Sequence, residues 1–338
     1  MSQIGSPERW RELTAPYAKP DTRMAVVQLL TTGLLLLAAM AALIYGLDRG
    51  VWAALIFAAP AALFLVRLFI IQHDCGHGSF FRSRRVNDRL GRALGVLTLM
   101  PYGFWRRSHA VHHATSGNLD RRGTGDVTTL TVKEYLSRPR WRRLCYWLYR
   151  HPLVLLGVGP AYLLLIRYRI PTGNPLRNWH SWLSILGTNA AAAVLISVMA
   201  LIVGLSVFLL AYGAVLLLAT SIGVWFFYIQ HQFEDAYWEA GPRWDFRAAA
   251  LKGSSYYDLP RVLHWLTGSI GFHHIHHLAS KIPNYRLRSC FDQTPAFRHA
   301  KRVTLLGSFK CLRLALWDEQ SQKLVSFRHA DRMASATR

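Results

Sequence analysis

The sequence is poor in cysteine, and its cysteines form no recognisable pattern. Among 338 residues there are only four, with no CxxC spacing and no compact framework of the kind found in small secreted proteins. They are Cys75, Cys145, Cys290 and Cys311. We therefore expect reduced thiols that face a cytoplasm, and no disulfide. The chain also lacks internal repeats and low-complexity segments.

Acidic residues are scarce relative to basic ones. There are 18 Asp and Glu against 40 Lys and Arg, so the formal net charge is +22 and the isoelectric point is near 10.5. Such an excess ordinarily suggests nucleic acid. A basic DNA-binding domain, however, does not carry uncharged runs long enough to cross a bilayer, and this chain does. We therefore expect no nucleic-acid partner and attribute the positive charge to attraction by a membrane surface.

Four apolar runs have the length of a membrane span, which needs about 20 largely apolar residues. They cover residues 24–46, 51–72, 182–203 and 206–230. Because short turns join the first run to the second and the third to the fourth, the sequence predicts two helical hairpins. The residues before 24 are polar, so the first run is expected to be a retained signal anchor. Arg67 within the second run is costly there unless it reaches the interface or meets an acid.

Arginine density predicts how the spans are oriented. The segment between the two hairpins and the chain after residue 243 are rich in arginine, whereas the two outer turns hold only Asp48 and Arg49. By the positive-inside rule, both termini and the middle segment are cytoplasmic. The sequence thus predicts an all-α integral membrane fold: four transmembrane helices in two hairpins, with a cytoplasmic helical cap.

Two shorter apolar runs, residues 94–105 and 152–170, compete as spans. The first is too short, and the second is interrupted by glycine and proline, so both are expected to lie in the membrane interface. The predicted organisation is a cytoplasmic segment 1–23, a membrane domain 24–287 and a basic cytoplasmic segment 288–338 that faces anionic lipid.

The 15 histidines include three clusters with helical spacing. His73 and His77 stand four residues apart at the end of the second span, where they share one helix face. Two triplets with offsets of three and four follow, and a single histidine comes directly after the fourth span. The candidate metal ligands are His73, His77, His109, His112, His113, His231, His273, His276 and His277.

Each cluster alone is commonly a solvated or packed group, but three clusters at one predicted membrane face favour a metal centre. Neutral imidazole is the commonest protein metal ligand. Nine rings exceed what one ion takes, so we expect two metals with four or five imidazoles each. Imidazole suits iron, zinc, copper or nickel, which leaves the metal open at this point.

Histidine ligands usually donate their second ring N–H to a carboxylate or a carbonyl. The acids near the clusters are Asp74, Asp126, Glu234, Asp235 and Asp258. Of these, Asp74 and Glu234 are favoured, while Asp126 falls in a glycine-rich stretch, 123–126, that is expected to be a turn. Five histidines that lack the cluster spacing are expected to support the ligands or to lie at the surface: His151, His180, His264, His274 and His299.

The three clusters have the forms HxxxH, HxxHH and HxxHH, and in this the sequence resembles the membrane fatty acid desaturase family, in particular its bacterial and plastid acyl-lipid type. The flanking stretches 78–81, 271–272 and 278–287 carry the same resemblance, which covers residues 51–287. It implies a four-span membrane fold, a di-iron centre, O2 as co-substrate and removal of two hydrogens from an acyl chain. His231 matches the extra histidine that follows the last span in this family.

Two departures limit what the resemblance implies. Animal acyl-CoA desaturases place an asparagine four residues before the extra histidine, where it holds a metal-bound water, and this chain has Phe227 there. The chain also lacks the HPGG signature of a fused cytochrome domain, so its electrons must come from a separate protein. An acidic ferredoxin-type donor would suit the arginine-rich cytoplasmic face.

The resemblance leans toward an omega-6/delta-12 desaturase acting on a lipid-bound chain in a bacterial inner membrane. Aromatic residues near the span ends are expected to line an apolar tunnel for that chain, namely Phe104, Trp105, Trp225, Phe226 and Tyr228. A hydroxylase, ketolase or epoxygenase with the same metal chemistry remains an alternative. A membrane metal transporter or haem carrier is a second alternative. Its histidine ligands should lie within the spans, whereas the clusters here lie at the span ends and between the hairpins.

Overall fold

Helices dominate the computed structural model, which describes residues 6–123, 125–171 and 175–336. The ends of the predicted terminal segments, 1–5 and 337–338, and Thr124 of the predicted turn lie outside the described residues. The N-terminal half contains α1 (Pro7–Thr14), α2 (Thr22–Asp48), a 3-10 turn (Trp52–Phe57), α3 (Ala58–His77), α4 (Arg84–Leu97), α5 (Tyr102–Thr115), α6 (Val132–Ser137) and α7 (Arg140–Arg150).

The middle of the chain returns to long apolar helices. Two π-helical turns, Val154–Val158 and Leu163–Arg167, flank α8 (Gly159–Tyr162), and they are followed by α9 (Pro175–Val203) and α10 (Leu205–His231). The remaining helices are α11 (Phe246–Lys252), α12 (Arg261–Leu266), α13 (His273–Leu278), α14 (Asn284–Gln293), α15 (Leu305–Cys311) and α16 (Phe327–Ala336), with 3-10 turns at Gly241–Arg243 and Pro295–His299.

Five short strands form two small sheets that the sequence analysis did not predict. β1 (Leu130–Thr131) pairs in parallel with β4 (Leu316–Asp318), which pairs antiparallel with β5 (Lys323–Val325). β2 (Tyr256–Asp258) pairs in parallel with β3 (Arg302–Thr304). Strands of two or three residues are too short to show a period-two pattern, which explains why they were missed.

Four helices among the described residues are long and apolar enough to cross a membrane, as predicted. They run over Thr22–Asp48, Trp52–His77, Asn178–Val203 and Leu205–His231. α2, α3 and α10 share a core in which small residues such as Ala61, Ala62 and Ala211 allow close approach of the backbones. The second and fourth of these helices end at His77 and His231. Because α3 packs against α10, the two helices together form the support for the histidines at their ends.

The two shorter apolar runs are both broken. Residues 94–105 divide between α4 and α5, with a bend near Leu99, whose φ is 51°. The run after residue 152 follows α7 at an angle of 60°. If α7 and this run are counted as one bent span, they make a fifth apolar element long enough to cross a membrane.

Arg67 has partners other than the acid or the interface that its sequence position predicts. Its side chain is buried, and its Nε donates to Thr32 Oγ1 of α2 at 3.1 Å. The guanidinium lies 4.3 Å from the ring centroid of Trp265. A hydroxyl and an aromatic face thus stabilise this cation, where an acid or the interface was expected.

Candidate metal centre

The predicted histidines lie on four helices. Two are long apolar helices that carry them at their C-terminal ends, and two are shorter helices. α3 contributes His73 and His77, and it ends there because Gly78 adopts a left-handed conformation with φ 66°. α5 carries the second cluster, α13 carries the third, and His231 is the last residue of α10. The four segments are far apart in sequence, so the site exists only in the folded chain.

The structure brings all nine candidate ligands together in two groups. Within each group, one nitrogen from every ring lies within 4.8 Å of the others. The five-histidine group consists of His73, His77, His109, His113 and His276. The four-histidine group consists of His112, His231, His273 and His277.

The nitrogen spacing fits ligands of a shared ion. His109 Nε2 lies 3.1 Å from the Nε2 atoms of both His77 and His113, and the Nε2 atoms of His113 and His276 are also 3.1 Å apart. In the other group, the Nε2 atoms of His231 and His273 are 3.0 Å apart. Two imidazole nitrogens bound at right angles to one ion at about 2.1 Å would be about 3.0 Å apart.

Burial keeps these rings neutral, as metal ligation requires. Desolvation, followed by the proximity of neighbouring histidines, lowers the pKa values of the cluster histidines outside the long apolar helices well below 6.5. These are His109, His113, His273, His276 and His277. A neutral imidazole retains a lone pair on one nitrogen, so the donor set suits metal cations.

Three acceptors outside the groups fix the ring orientation. Asp74 Oδ1 lies 3.0 Å from His73 Nδ1, Asp126 Oδ1 lies 2.5 Å from His112 Nδ1, and the carbonyl oxygen of Gly253 lies 3.1 Å from His231 Nδ1. Each Nδ1 then carries the proton, and each Nε2 presents its lone pair to the group. His112 Nε2 is buried and finds no hydrogen-bond partner among the described residues, as expected of an atom reserved for a metal.

The carboxylate beside the second histidine cluster is that of Asp126, and the expectation that Glu234 supports a ligand is wrong. The Glu234 carboxylate instead accepts from Lys323 Nζ at 2.9 Å. Asp126 reaches His112 because Gly125, with φ 75°, passes very close to α5. A Cβ at this glycine would lie only 3.0 Å from the Cβ of His112. Gly123 and Gly125, which predict a turn, are thus also the sequence signal of this close approach.

The other acids and histidines serve elsewhere. Asp235 pairs with Lys301, and Asp258 pairs with Arg302. His264 is buried, and its Nε2 accepts from the backbone N–H of Leu259 at 3.3 Å. Among the described residues, six histidines belong to neither group: His151, His180, His264, His274, His299 and His329.

Aromatic rings close the site. Trp105, a candidate tunnel residue, stacks on His109 with ring centroids 4.6 Å apart. The Phe227 ring lies 5.0 Å from that of His112 and 5.3 Å from that of His231. Because Phe227 offers no hydrogen-bonding group, the water contact of the animal asparagine has no equivalent at this position.

An apolar crevice of about 320 Å³ lies between the long helices, on the side of Leu63 in α3 and Leu263 in α12. Two of the expected tunnel residues, Trp225 and Phe226, line it. Tyr228 does not, because its hydroxyl donates to the Leu314 carbonyl oxygen at 2.8 Å. The volume lies within the range of about 300–1,000 Å³ that is typical of small-molecule sites.

Comparison with known proteins decides the family. The family model described as fatty acid desaturase matches residues 50–305, which is most of the chain. The chain belongs to the fatty acid desaturase family. A fatty acid desaturase of Bacillus subtilis is 44% identical over 319 residues, which cover 93% of this chain and 89% of that protein.

More distant relatives of this desaturase have more specific names. The sn-1 acyl-lipid omega-3 desaturase (ferredoxin) of Synechocystis is 30% identical over 65% of this chain and 61% of its own length. The omega-6 fatty acid desaturase, endoplasmic reticulum isozyme 1, of Glycine max is 27% identical over 69% of this chain and 66% of its own length. The desaturase is thus an oxidoreductase, and its four apolar helices indicate a membrane protein.

Proposed function

We propose that this desaturase introduces a cis double bond into the acyl chain of a membrane lipid, with O2 and two electrons, at a pair of iron ions. The convergence of nine imidazoles in two adjoining groups, six of them buried and three half-buried, in a chain of the desaturase family, carries the proposal. The five-histidine group would hold one ion and the four-histidine group the other. Bound iron would supply the oxidising power that no side chain has for an unactivated C–H bond.

The protein's own residues have positional tasks in this proposal. Asp74 and Asp126 hold the Nδ1 protons of His73 and His112, so both Nε2 lone pairs face inward. Trp105 and Phe227 cover the two groups with carbon atoms and keep bulk water away from the rings. Exclusion of water prevents the oxidising site from reacting with solvent before the acyl chain arrives.

The apolar crevice is proposed as the entry for the acyl chain. Its walls include Leu63, Ser221 and Trp225, which belong to helices that end in the histidine groups. A chain that enters between α3 and α10 from the lipid phase would therefore be directed toward the metal centre. An omega-6/delta-12 position of the double bond is proposed from the resemblance to acyl-lipid desaturases; the Glycine max relative is named for the omega-6 position, and the Synechocystis relative for the omega-3 position.

A separate ferredoxin-type protein is proposed as the electron donor. The Synechocystis relative is named as ferredoxin-dependent, and the net charge of +22 favours an acidic donor. Electron transfer should then slow as ionic strength rises, because salt screens this attraction. A rate of electron transfer that does not change with salt would contradict the proposed docking.

The proposed topology has two hairpins, α2 with α3 and α9 with α10, in a bacterial inner membrane. Both termini, the histidine groups and a helical cap would face the cytoplasm. The segments 1–23 and 288–338 would be cytoplasmic, and residues 24–287 would form the membrane domain. The arginine-rich sequence between α3 and α9 supports this orientation, and the interfacial runs 94–105 and 152–170 keep the histidine segments on one membrane side.

Fatty acid analysis with metal analysis tests the proposal. Cells that express the wild type should contain new unsaturated fatty acids by gas chromatography, and the purified protein should contain about two irons per chain, as the two groups imply. His276→Ala should abolish the products, whereas the control His299→Ala, at an exposed position, should retain them. Hydroxylated products with two irons would move the function to a hydroxylase, and a chain without iron would refute the metal centre.

A further inference from the structure

α7 exposes an apolar face that nothing in the protein covers among the described residues. Trp141, Leu144 and Leu148 lie on one side of the helix, at spacings of three and four residues, and are between 45% and 61% exposed. The opposite side, with Tyr146 and Arg150, is buried in the protein. Contiguous apolar surface of this kind marks a binding site.

Arginines flank the apolar face. Arg140 and Arg142 are exposed, and neither has a carboxylate partner among the described residues. The guanidinium of Arg142 lies 5.0 Å from the ring centroid of Trp141, which pairs a cation with an amphipathic ring. An apolar stripe bordered by arginine and tryptophan is typical of a helix that lies in the membrane interface.

Other placements of α7 fit less well. Four arginines in 11 residues would be costly within the hydrocarbon core, so the helix does not span it. The following run bends away by 60° and exposes Leu153, Val158 and Leu165, so its apolar surface continues that of α7 into the lipid phase. An acidic protein partner would be matched by the arginines but not by the tryptophan and leucines between them.

The buried side fixes α7 beside the metal centre. Arg150 Nη2 donates to Gln232 Oε1 at 2.8 Å and to the Tyr228 hydroxyl at 3.2 Å, and these residues flank His231 in the sequence. Arg150 Nη1 donates to the carbonyl oxygen of Thr128 at 3.0 Å, two residues after Asp126. α7 therefore cannot leave its position without loss of these contacts.

We propose that α7 is a lipid-binding anchor. Its apolar face enters the headgroup region of the membrane, and Arg140 and Arg142 bind the phosphates of anionic phospholipid. Each arginine near an anionic membrane surface is attracted to it. Together, the two arginines should make binding to anionic lipid about thirtyfold stronger than binding to zwitterionic lipid.

Cys145 provides a selective probe of this surface. It is the one exposed thiol, because Cys75, Cys290 and Cys311 are buried, so a nitroxide reagent should label α7 alone in the folded protein. The labelled full-length protein is placed in nanodiscs of phosphatidylcholine with increasing fractions of phosphatidylglycerol. Collisions of the nitroxide with oxygen, which enters lipid, are compared by power saturation with those of a water-soluble nickel chelate.

The expected result is a label that becomes shielded from nickel and open to oxygen as the phosphatidylglycerol fraction rises. Arg140→Gln/Arg142→Gln should shift this transition to a higher fraction. Arg9→Gln/Arg11→Gln, which removes two exposed charges from α1, should leave it unchanged. A label equally open to nickel in all nanodiscs would overturn the proposal. So would shielding that requires an added acidic ferredoxin and ignores lipid composition, because α7 would then be a donor-docking surface.

Discussion

Asn284 holds the carboxylate that orients His73, and its replacement by alanine should loosen one side of the proposed metal centre. Asp74 Oδ2 accepts two hydrogen bonds from this residue, from its backbone N–H at 2.6 Å and from its Nδ2 at 2.8 Å. Asn284 Oδ1 in turn accepts from Gln28 Nε2 of α2 at 2.8 Å. All of these groups are buried, so water cannot replace a lost partner.

The expected loss follows from the bonds removed. Asn284→Ala keeps the backbone hydrogen bond but deletes one bond to a carboxylate, worth about 1.5–3 kcal/mol, and leaves the buried Gln28 amide without its partner, at about 1–3 kcal/mol. We expect a destabilisation of about 3 kcal/mol. Because Asp74 orients a proposed ligand, metal affinity should also fall by about 10–100-fold.

Thermal melting in detergent and metal retention during dialysis against a graded chelator measure the two effects. Gln28→Leu is the matched control, because it removes the outer link and leaves both bonds from Asn284 to Asp74 intact. It should alter the melting temperature and retain more metal than Asn284→Ala. Metal retention in Asn284→Ala equal to that of the wild type would refute the reasoning, since Asp74 would then be held by the backbone alone.

Three further predictions concern other contacts. Asp126→Ala should lower metal affinity by about 10–100-fold, whereas Glu234→Gln, which removes only an exposed pair with Lys323, should not, and mass spectrometry of metal content after dialysis distinguishes them. The metal-free protein should lose thermal stability as pH falls from about 7.5 to about 5.5. Burial lowers the pKa values of His109, His113, His273, His276 and His277 in the folded state, so below 6.5 the unfolded chain binds more protons; a melting temperature that rises on acidification would contradict this. Arg150→Ala should cost about 4 kcal/mol, because the buried guanidinium makes four hydrogen bonds that are lost at about 1 kcal/mol each, and Arg150→Lys should not restore the melting temperature, since one ammonium cannot reach all four acceptors.

The long helices and the histidine clusters were predictable because their signals are local. A run such as residues 206–230 reveals a span by composition alone, and the four-residue spacing of His73 and His77 places both rings on one face wherever the helix lies. The predicted orientation of the spans then places the three clusters at one membrane face, and the family resemblance implies a di-iron centre there. None of this required knowledge of which distant segments touch.

The contacts that support the histidines were not predictable, because they join residues that are distant in the sequence. Asp126 reaches His112 only because a glycine loop folds back on α5, and the Gly253 carbonyl reaches His231 across 22 residues. Arg67 was expected to need an acid, yet Thr32 and Trp265 from separate helices surround it. Such contacts depend on how the elements pack, and no sequence spacing encodes that.

The division of the histidines between the two groups carries a consequence that the three clusters taken separately do not suggest. His112 projects into the four-histidine group, while its neighbours His109 and His113, which share a helix face, project into the five-histidine group. The third cluster divides in the same way, with His276 in one group and His273 and His277 in the other. Since α5 and α13 each contribute to both groups, a displacement of either helix disturbs both at once. The two proposed ions should therefore be gained and lost together, and a variant that stably retains one full iron per chain would show that the groups are more independent than this interleaving implies.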